Sequence, residues 1–421
     1  MYTPFLMQQN SQIDKGRLQV NVVSNIRNRP VANARISISY TGDPESIIEE
    51  VRTDSSGQSP VVELSTPPLD YSMEPGQYQP YSEYNLRIEA EDFAPVNISG
   101  TELLPEVKAV QPVRMESREP ENPFDVIVIP AHTLYGEYPA KIPEAEIKPT
   151  NESGEIVLNR VVIPEYIVVH NGAPSDSTAK NFYVKYRDYI KNVASSEIYA
   201  TWPENTIKAN ILAIMSFTLN RVYTEWYRNK GYEFTITSST AYDHKWMEGR
   251  NVFDTIDAVV DEVFSSYLSR PNVRQPILTQ YCDGQRVSCP NWMSQWGSKY
   301  LGDQNYATID IIRYYYGDDM YINSAEEISG VPISWPGYSL DIGASGEKVL
   351  QIQEQLNRIR EVYTAIPAIT SMDGIYGENT QNAVRKFQSV FGLPETGIID
   401  YKTWYKIQEI YVGVTRIAEL Q

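Results

Sequence analysis

The chain has 421 residues, enough for about two to four domains, and its 42% hydrophobic and 21% charged content is that of folded protein. A formal net charge of −18 excludes a nucleic-acid partner, which needs a basic groove, and an anionic membrane surface, and it leaves a neutral sugar chain open. The sequence has no apolar run of about 18 residues, so no membrane span is expected.

Residues Met1–Asn10 have neither a basic n-region nor an apolar h-region, so no secretory signal is read there. Removal of a signal, release by lysis, or action inside a sporulating cell all fit. With 2 Cys and 3 His, no disulfide framework and no multi-ligand catalytic metal site is expected, and no cofactor. Tyrosine is abundant, 31 against 10 Phe. Its flat amphipathic ring suits glycans, and strand-rich domains also carry many.

From 17 to 117, apolar residues alternate with polar ones at Leu18, Val20 and Val22, at Ile36 and Ile38, and at Leu86 and Ile88. Turn clusters at Arg29-Pro30, Thr41–Pro44 and Asp54–Gly57 separate the runs. This predicts an antiparallel β-sandwich. The segment Arg17–Tyr40 with Thr53–Gly57 resembles the carboxypeptidase regulatory-like, transthyretin-type sandwich, a domain that spaces or binds.

Residues 118–180 are punctuated by proline, with strand-like runs at Val126–Ile129 and Ile156–Val162, and read as an extended connector. Tyr166–His170 is a further apolar strand; His170 reads as a hydrogen-bonded structural residue rather than a zinc ligand.

Residues 181–325 form a compact middle domain. Tyr186, Tyr189, Ile190 and Val193 share one helical face, and Glu197 extends the stripe. Thr201–Glu204 reads as a capping box opening the next helix, with Ile207, Ile211, Met215, Val222 and Trp226 on its buried side. An apolar face and the negative end of a helix both disfavour a carboxylate, so the Glu197 pKa is expected to rise toward that of a general acid.

The stretch Tyr189–Glu197, then Trp202-Pro203-Glu204 and Ile207–Ala213, then Thr237–His244, Met293–Gly297 and Ile311–Gly317, resembles the stage II sporulation protein D family. The order is that of the family. The resemblance implies a lytic-transglycosylase domain of α+β fold. Such a domain cleaves the MurNAc–GlcNAc link without water and leaves a 1,6-anhydro sugar. It puts the acid/base on Glu197 and substrate contacts on Asp243, His244, Tyr281, Gln295 and Trp296. One carboxyl suffices for that chemistry, whereas hydrolysis needs a second; Asp243 and Asp283 are the candidates for it. The sequence departs from the family at Ile214–Phe217, in an insertion after Glu197, and at Tyr281–Gly284. Cys282 and Cys289 bracket a loop beside Met293–Gly297. A disulfide is the first choice there, zinc with His244 the second, and two buried thiols the third.

From 335 to 421 the pattern changes. Val349, Ile352, Leu356 and Ile359 give one amphipathic helix and Ala383, Val384 and Phe387 another, which Thr380 is read to open. With Gly343–Gly346, Asp373–Gly377 and Gly397-Ile398, this resembles the three-helix peptidoglycan-binding domain. Ligand contacts are assigned to Asp373, Tyr376 and Arg385. The expectation is therefore a multidomain protein of sandwich, α+β domain and three-helix module that binds and cuts peptidoglycan glycan strands at the cell wall or spore. The alternative is a non-catalytic wall or spore-surface tether. The oligomeric state is left open.

Overall fold

The computed structural model describes residues 13–25, 28–118, 125–148, 158, 160–329 and 335–415. The signal reading at Met1–Asn10 and part of the run Ile156–Val162 lie outside these residues. The sandwich begins with β1 (Asp14–Ser24), β2 (Arg35–Tyr40), β3 (Asp43–Arg52), β4 (Val62–Thr66) and a single helical turn, α1 (Asp70–Met73). It continues through β5 (Ser82–Glu89), β6 (Val96–Leu103), β7 (Lys108–Met115) and β8 (Asp125–Val128). The middle domain runs β9 (Val162–Ile163), β10 (Tyr166–His170), β11 (Asn181–Lys185), α2 (Tyr186–Glu197), α3 (Glu204–Tyr223), β12 (Ile236–Thr237), β13 (Val252–Phe253) and α4 (Asp254–Val263). It closes with β14 (Ser266–Ser269), β15 (Tyr281–Cys282), β16 (Met293–Ser294), α5 (Gln295–Asp303), α6 (Thr308–Tyr316), β17 (Tyr321–Ser324) and β18 (Glu327–Ile328). The last part holds α7 (Glu347–Arg360), α8 (Glu378–Val390) and α9 (Tyr401–Thr415).

One sandwich sheet has the order β3-β2-β5-β6-β8 and the other β13-β7-β1-β4. The alternation read from the sequence sets their inner faces: Leu18, Val20, Val22, Ile36, Ile38, Leu86 and Ile88 are all buried. Each such side chain contributes roughly 1.5–3 kcal/mol on burial, so a one-residue slip of register is strongly disfavoured. The sheets are mixed rather than purely antiparallel. β1 and β7 pair in parallel from Arg17↔Lys108 to Ser24↔Met115, and β8 runs parallel to β6.

The sandwich is joined to the middle domain through its sheet. β13, from the middle domain, pairs with β7 at Val252↔Val110 and Phe253↔Ala109. Just before it, Asn251 accepts from Glu102 N at 3.0 Å and donates to Glu102 O at 2.9 Å. Gln111 donates to Gly249 O at 2.8 Å. Gly249 has φ +70°, and a Cβ there would lie 2.3 Å from the Ile127 side chain, so β8 approaches closer than a side chain would allow.

Three local readings are corrected. Thr201 does not cap α3: its hydroxyl donates to Ser72 Oγ at 2.8 Å, and Trp202 Nε1 donates to Ser72 O at 2.9 Å, so this turn holds α1 of the sandwich. α3 has no single buried side; it lies between α2, α4, α5, α6 and β14, is buried almost all round, and ends before Trp226. Thr380 does not open α8, which starts at Glu378 after Gly377; its buried hydroxyl accepts from Gln353 Nε2 at 3.0 Å.

Candidate functional site

Glu197 is the last residue of α2 and is 0% exposed. Its Oε1 accepts from Lys245 N at 2.5 Å, and its Oε2 accepts from the Tyr281 hydroxyl. Gln295 Nε2 donates to the Glu197 carbonyl at 3.0 Å. Burial pushes the carboxyl pKa up; Lys141 and the bonds from Lys245 and Tyr281 pull the other way without reversing it.

A strap from the connector, residues 129–148, packs along the chain on either side of this carboxyl. Thr133 donates through N and Oγ1 to Ser196 O, at 3.1 and 2.8 Å. His132 Nε2 lies 3.3 Å from Ile198 O, and its ring stacks on Tyr199. Tyr138 is buried and donates to Gln295 Oε1 at 3.3 Å. Burial, then the Glu197 charge, hold the Tyr138 phenol well above its usual range. Lys141 donates to Asp243 O and lies 4.6 Å over the Tyr281 ring. Glu144 ties the far end to Arg221 at 2.6 Å.

The residues assigned to substrate fall into two groups. Tyr281 and Gln295 bond Glu197, but both are buried, as are Asp243 and His244. Asp243 is saturated: it accepts from Arg221 Nε at 2.8 Å, Tyr227 OH at 2.6 Å, and Thr237 N and Oγ1 at 2.9 and 2.7 Å. It is a structural counter-charge for Arg221, not a substrate contact or a second acid. His244 packs between Phe217 and Tyr281, with Nδ1 3.2 Å from Tyr189 OH. Burial holds its pKa well below the usual range, so it is neutral. Asp283, the other candidate second carboxylate, accepts from Gln285, Arg286 and Val287 N and pairs with Arg286 at 2.8 Å, which organises its own loop.

Trp296 is 7% exposed. It lines a cleft of roughly 460 Å³ between the sandwich loop at 71–80 and the middle domain, with Tyr71, Tyr78, Tyr135, Tyr199 and Arg286.

Cys282 and Cys289 are joined in a disulfide with Cα atoms 5.6 Å apart, which removes both thiols from the zinc set proposed with His244. Among the described residues no group of three or more His, Cys, Asp or Glu is placed to hold a metal. His170 Nδ1 lies 2.8 Å from Asn181 Oδ1, and its ring stacks on Phe234.

Sequence reasoning missed His132, Tyr138, Lys141 and Lys245. The first three lie in a proline-punctuated segment without periodicity, so nothing local marked them. Lys245 stands directly after the Thr237–His244 motif and contributes its backbone N–H, which any residue there supplies.

In the C-terminal part, Tyr376 is corrected from ligand contact to core: it is 1% exposed and donates to Gly397 O at 2.8 Å. Asp373 is exposed and shapes its turn by accepting from Ile375 N at 2.9 Å and Ser371 Oγ at 2.8 Å. Arg385 is exposed on α8.

Residues 345–407 match the family model of the peptidoglycan binding domain. The zinc D-Ala-D-Ala carboxypeptidase of Streptomyces albus G is 36% identical over 77 residues, 18% of this chain and 28% of that enzyme, so the chain spans well under a third of the relative's length. Among solved structures, the SleB N-terminal domain is 29% identical over 18% of this chain and 99% of its own, with a TM-score of 0.16. The minor pilin GBS52 of Streptococcus agalactiae is 11% identical over 25% of this chain and 46% of its own, with a TM-score of 0.18. Beyond these matches, the chain is multidomain and of mixed α and β structure, with several sheets and a C-terminal helical region. Among the described residues no helix is long and apolar enough to cross a membrane.

Proposed function

We propose that this protein binds peptidoglycan and cleaves the wall glycan through its middle domain by lytic-transglycosylase chemistry, with Glu197 as acid and base. The observation that supports this reading is a lone carboxyl, fully buried and with raised proton affinity, held by Tyr281 and Lys245 at a helix end. The protonated group gives its proton to the glycosidic oxygen as the C1–O4 bond breaks. The resulting carboxylate takes the proton from the sugar's own C6 hydroxyl, and O6 closes on C1. No water is consumed and no second carboxylate is needed, in keeping with Asp243 and Asp283 being fully engaged elsewhere. Glycan reaches Glu197 only when the strap at Thr133–Lys141 moves aside.

A specific observation favours a second reading. Glu197 is sealed, and its bonds to Lys245 and Tyr281 also serve as an internal staple, as in a tether that kept the fold and lost the chemistry.

The test is mass spectrometry of products from purified peptidoglycan, with and without stem peptides, for wild type and Glu197→Gln. A general acid–base group supplies roughly 100- to 10,000-fold in rate. Anhydro-ended products from wild type should fall by at least about 100-fold in the variant, with wall binding unchanged. Equal product from both rejects Glu197; no product from either on both substrates leaves the tether.

A further inference from the structure

We infer that the cleft between the sandwich and the middle domain is a second glycan site, distinct from the C-terminal module, and that it takes a β-1,4-linked chain of N-acetylated sugars. The inference deepens the proposed function and rests on it for the choice of ligand.

The cleft has two walls of different origin. The sandwich supplies Tyr71 and Tyr78, whose rings stack with centroids 5.1 Å apart, together with Gln77. Tyr78 is 63% exposed and Tyr135, on the strap, is 38% exposed. Large aromatic rings left open beside polar groups suit the apolar C–H faces and hydroxyl rims of pyranose rings.

Charge disfavours nucleic acid. Asp283 is neutralised by Arg286 at 2.8 Å, and the other nitrogens of Arg286 donate to the carbonyls of Gly136 and Thr133. Glu74 then leaves the lining with an added negative charge, on a chain whose net charge is −18. Nucleic acid, with a phosphate on every nucleotide, finds no basic groove there.

Position makes the cleft more than a surface hollow. Its floor holds Tyr199, Asp283 and Trp296. Tyr199 is two residues past Glu197, Asp283 is two past Tyr281, and Trp296 directly follows Gln295. Each floor residue thus extends from a segment that makes or bonds the buried acid. The C-terminal module, held in the same chain, raises the local concentration of glycan at this mouth.

The experiment is titration calorimetry of the full chain with chitohexaose, a soluble β-1,4 hexamer of N-acetylglucosamine. Wild type and Glu197→Gln should bind alike. The double variant Tyr78→Ala with Tyr135→Ala alters two exposed rings, and its melting curve checks that it folds. It should bind about tenfold more weakly or worse, while sedimentation with insoluble wall stays at the wild-type level. No measurable hexamer binding by wild type, or equal binding by the double variant, overturns the inference. Absence of cleavage by the wild type with intact hexamer binding counts against the proposed chemistry and leaves the cleft standing.

Discussion

Two buried carboxylates show how position decides what a residue does. Glu197 accepts from a backbone N–H and a hydroxyl, with Lys141 and Lys245 nearby, whereas Glu102 of β6 faces Arg250 across the seam between sandwich and middle domain. Arg250 also donates to Ser195 O, two residues before Glu197. Burial pushes the Glu102 pKa up to about 7, with Arg250 opposing the rise. A carboxyl raised above its unfolded value contributes stability that is full below the unfolded pKa and lost as pH rises through the folded one. The window here runs from the ordinary carboxyl value of about 4.5 to about 7, an effect of up to about 3 kcal/mol. Glu102→Gln removes the titration. Thermal melts at about pH 5 and about pH 8 should show the wild type losing more stability across the range than the variant; parallel losses would place the titration elsewhere. Glu197 was legible in the sequence because its face repeats every three to four residues. Glu102 was not, since its partner stands 148 positions away and no local pattern marks it.

At the scale of elements, the strap decides whether the middle domain is open. It has no regular secondary structure between Ile129 and Lys148 beyond a turn, and it is held by individual bonds. Arg286 is one clasp: it donates to Thr133 O and Gly136 O and lies 5.5 Å over the Tyr138 ring. Arg286→Ala removes all three contacts, while Asp283 keeps its backbone donors. Hydrogen exchange at the amides of Thr133 and Gly136 should quicken by an order of magnitude or more, about 1.4 kcal/mol of opening free energy. Under the cleavage reading, anhydro product should rise with it. Unchanged exchange would show that Glu144 and Thr133 suffice to close the strap. The neighbouring loop is pinned by the disulfide, so the denatured, unreduced protein should titrate no free thiol; two thiols would contradict the bond. The helices of the C-terminal part were readable because Val349, Ile352, Leu356 and Ile359 repeat at helical spacing and fold locally. The strap was not, because proline and isolated polar residues read as linker until the surface beneath them is known. Thr201 misled for a related reason: a side chain suited to a cap was drawn into a bond with another domain.

Over the whole molecule, the C-terminal module is docked rather than tethered. α9 lies against α2 and α4 through a buried ion network in which Asp261 meets Lys191 at 2.8 Å, Arg187 at 3.3 Å and Lys406 at 3.5 Å. Burial pushes the Asp261 carboxyl up, but Lys191, Lys406 and Arg187 together hold it well below the usual range. Its contribution is therefore present at neutral pH and lost in acid. Asp261→Asn leaves three cations without that charge and should cost roughly 3–5 kcal/mol. Small-angle scattering should show a larger radius as the module swings away, with wall sedimentation intact; an unchanged radius would mean the apolar contacts suffice. A chain ending at Ile328 should lose sedimentation altogether if the module is the main wall anchor. The seam at β13 carries a different consequence. β7 is the second strand of its sheet only because residues 252–253 cover it. During synthesis, that cover arrives more than a hundred residues after β7 has left the ribosome. In the interval β7 presents an open row of backbone donors and acceptors, the kind of edge on which a second nascent chain can add a strand. The amino-terminal half alone should thus be prone to self-association, and a chaperone that shields strand edges would be of most use to this protein before its middle domain is complete.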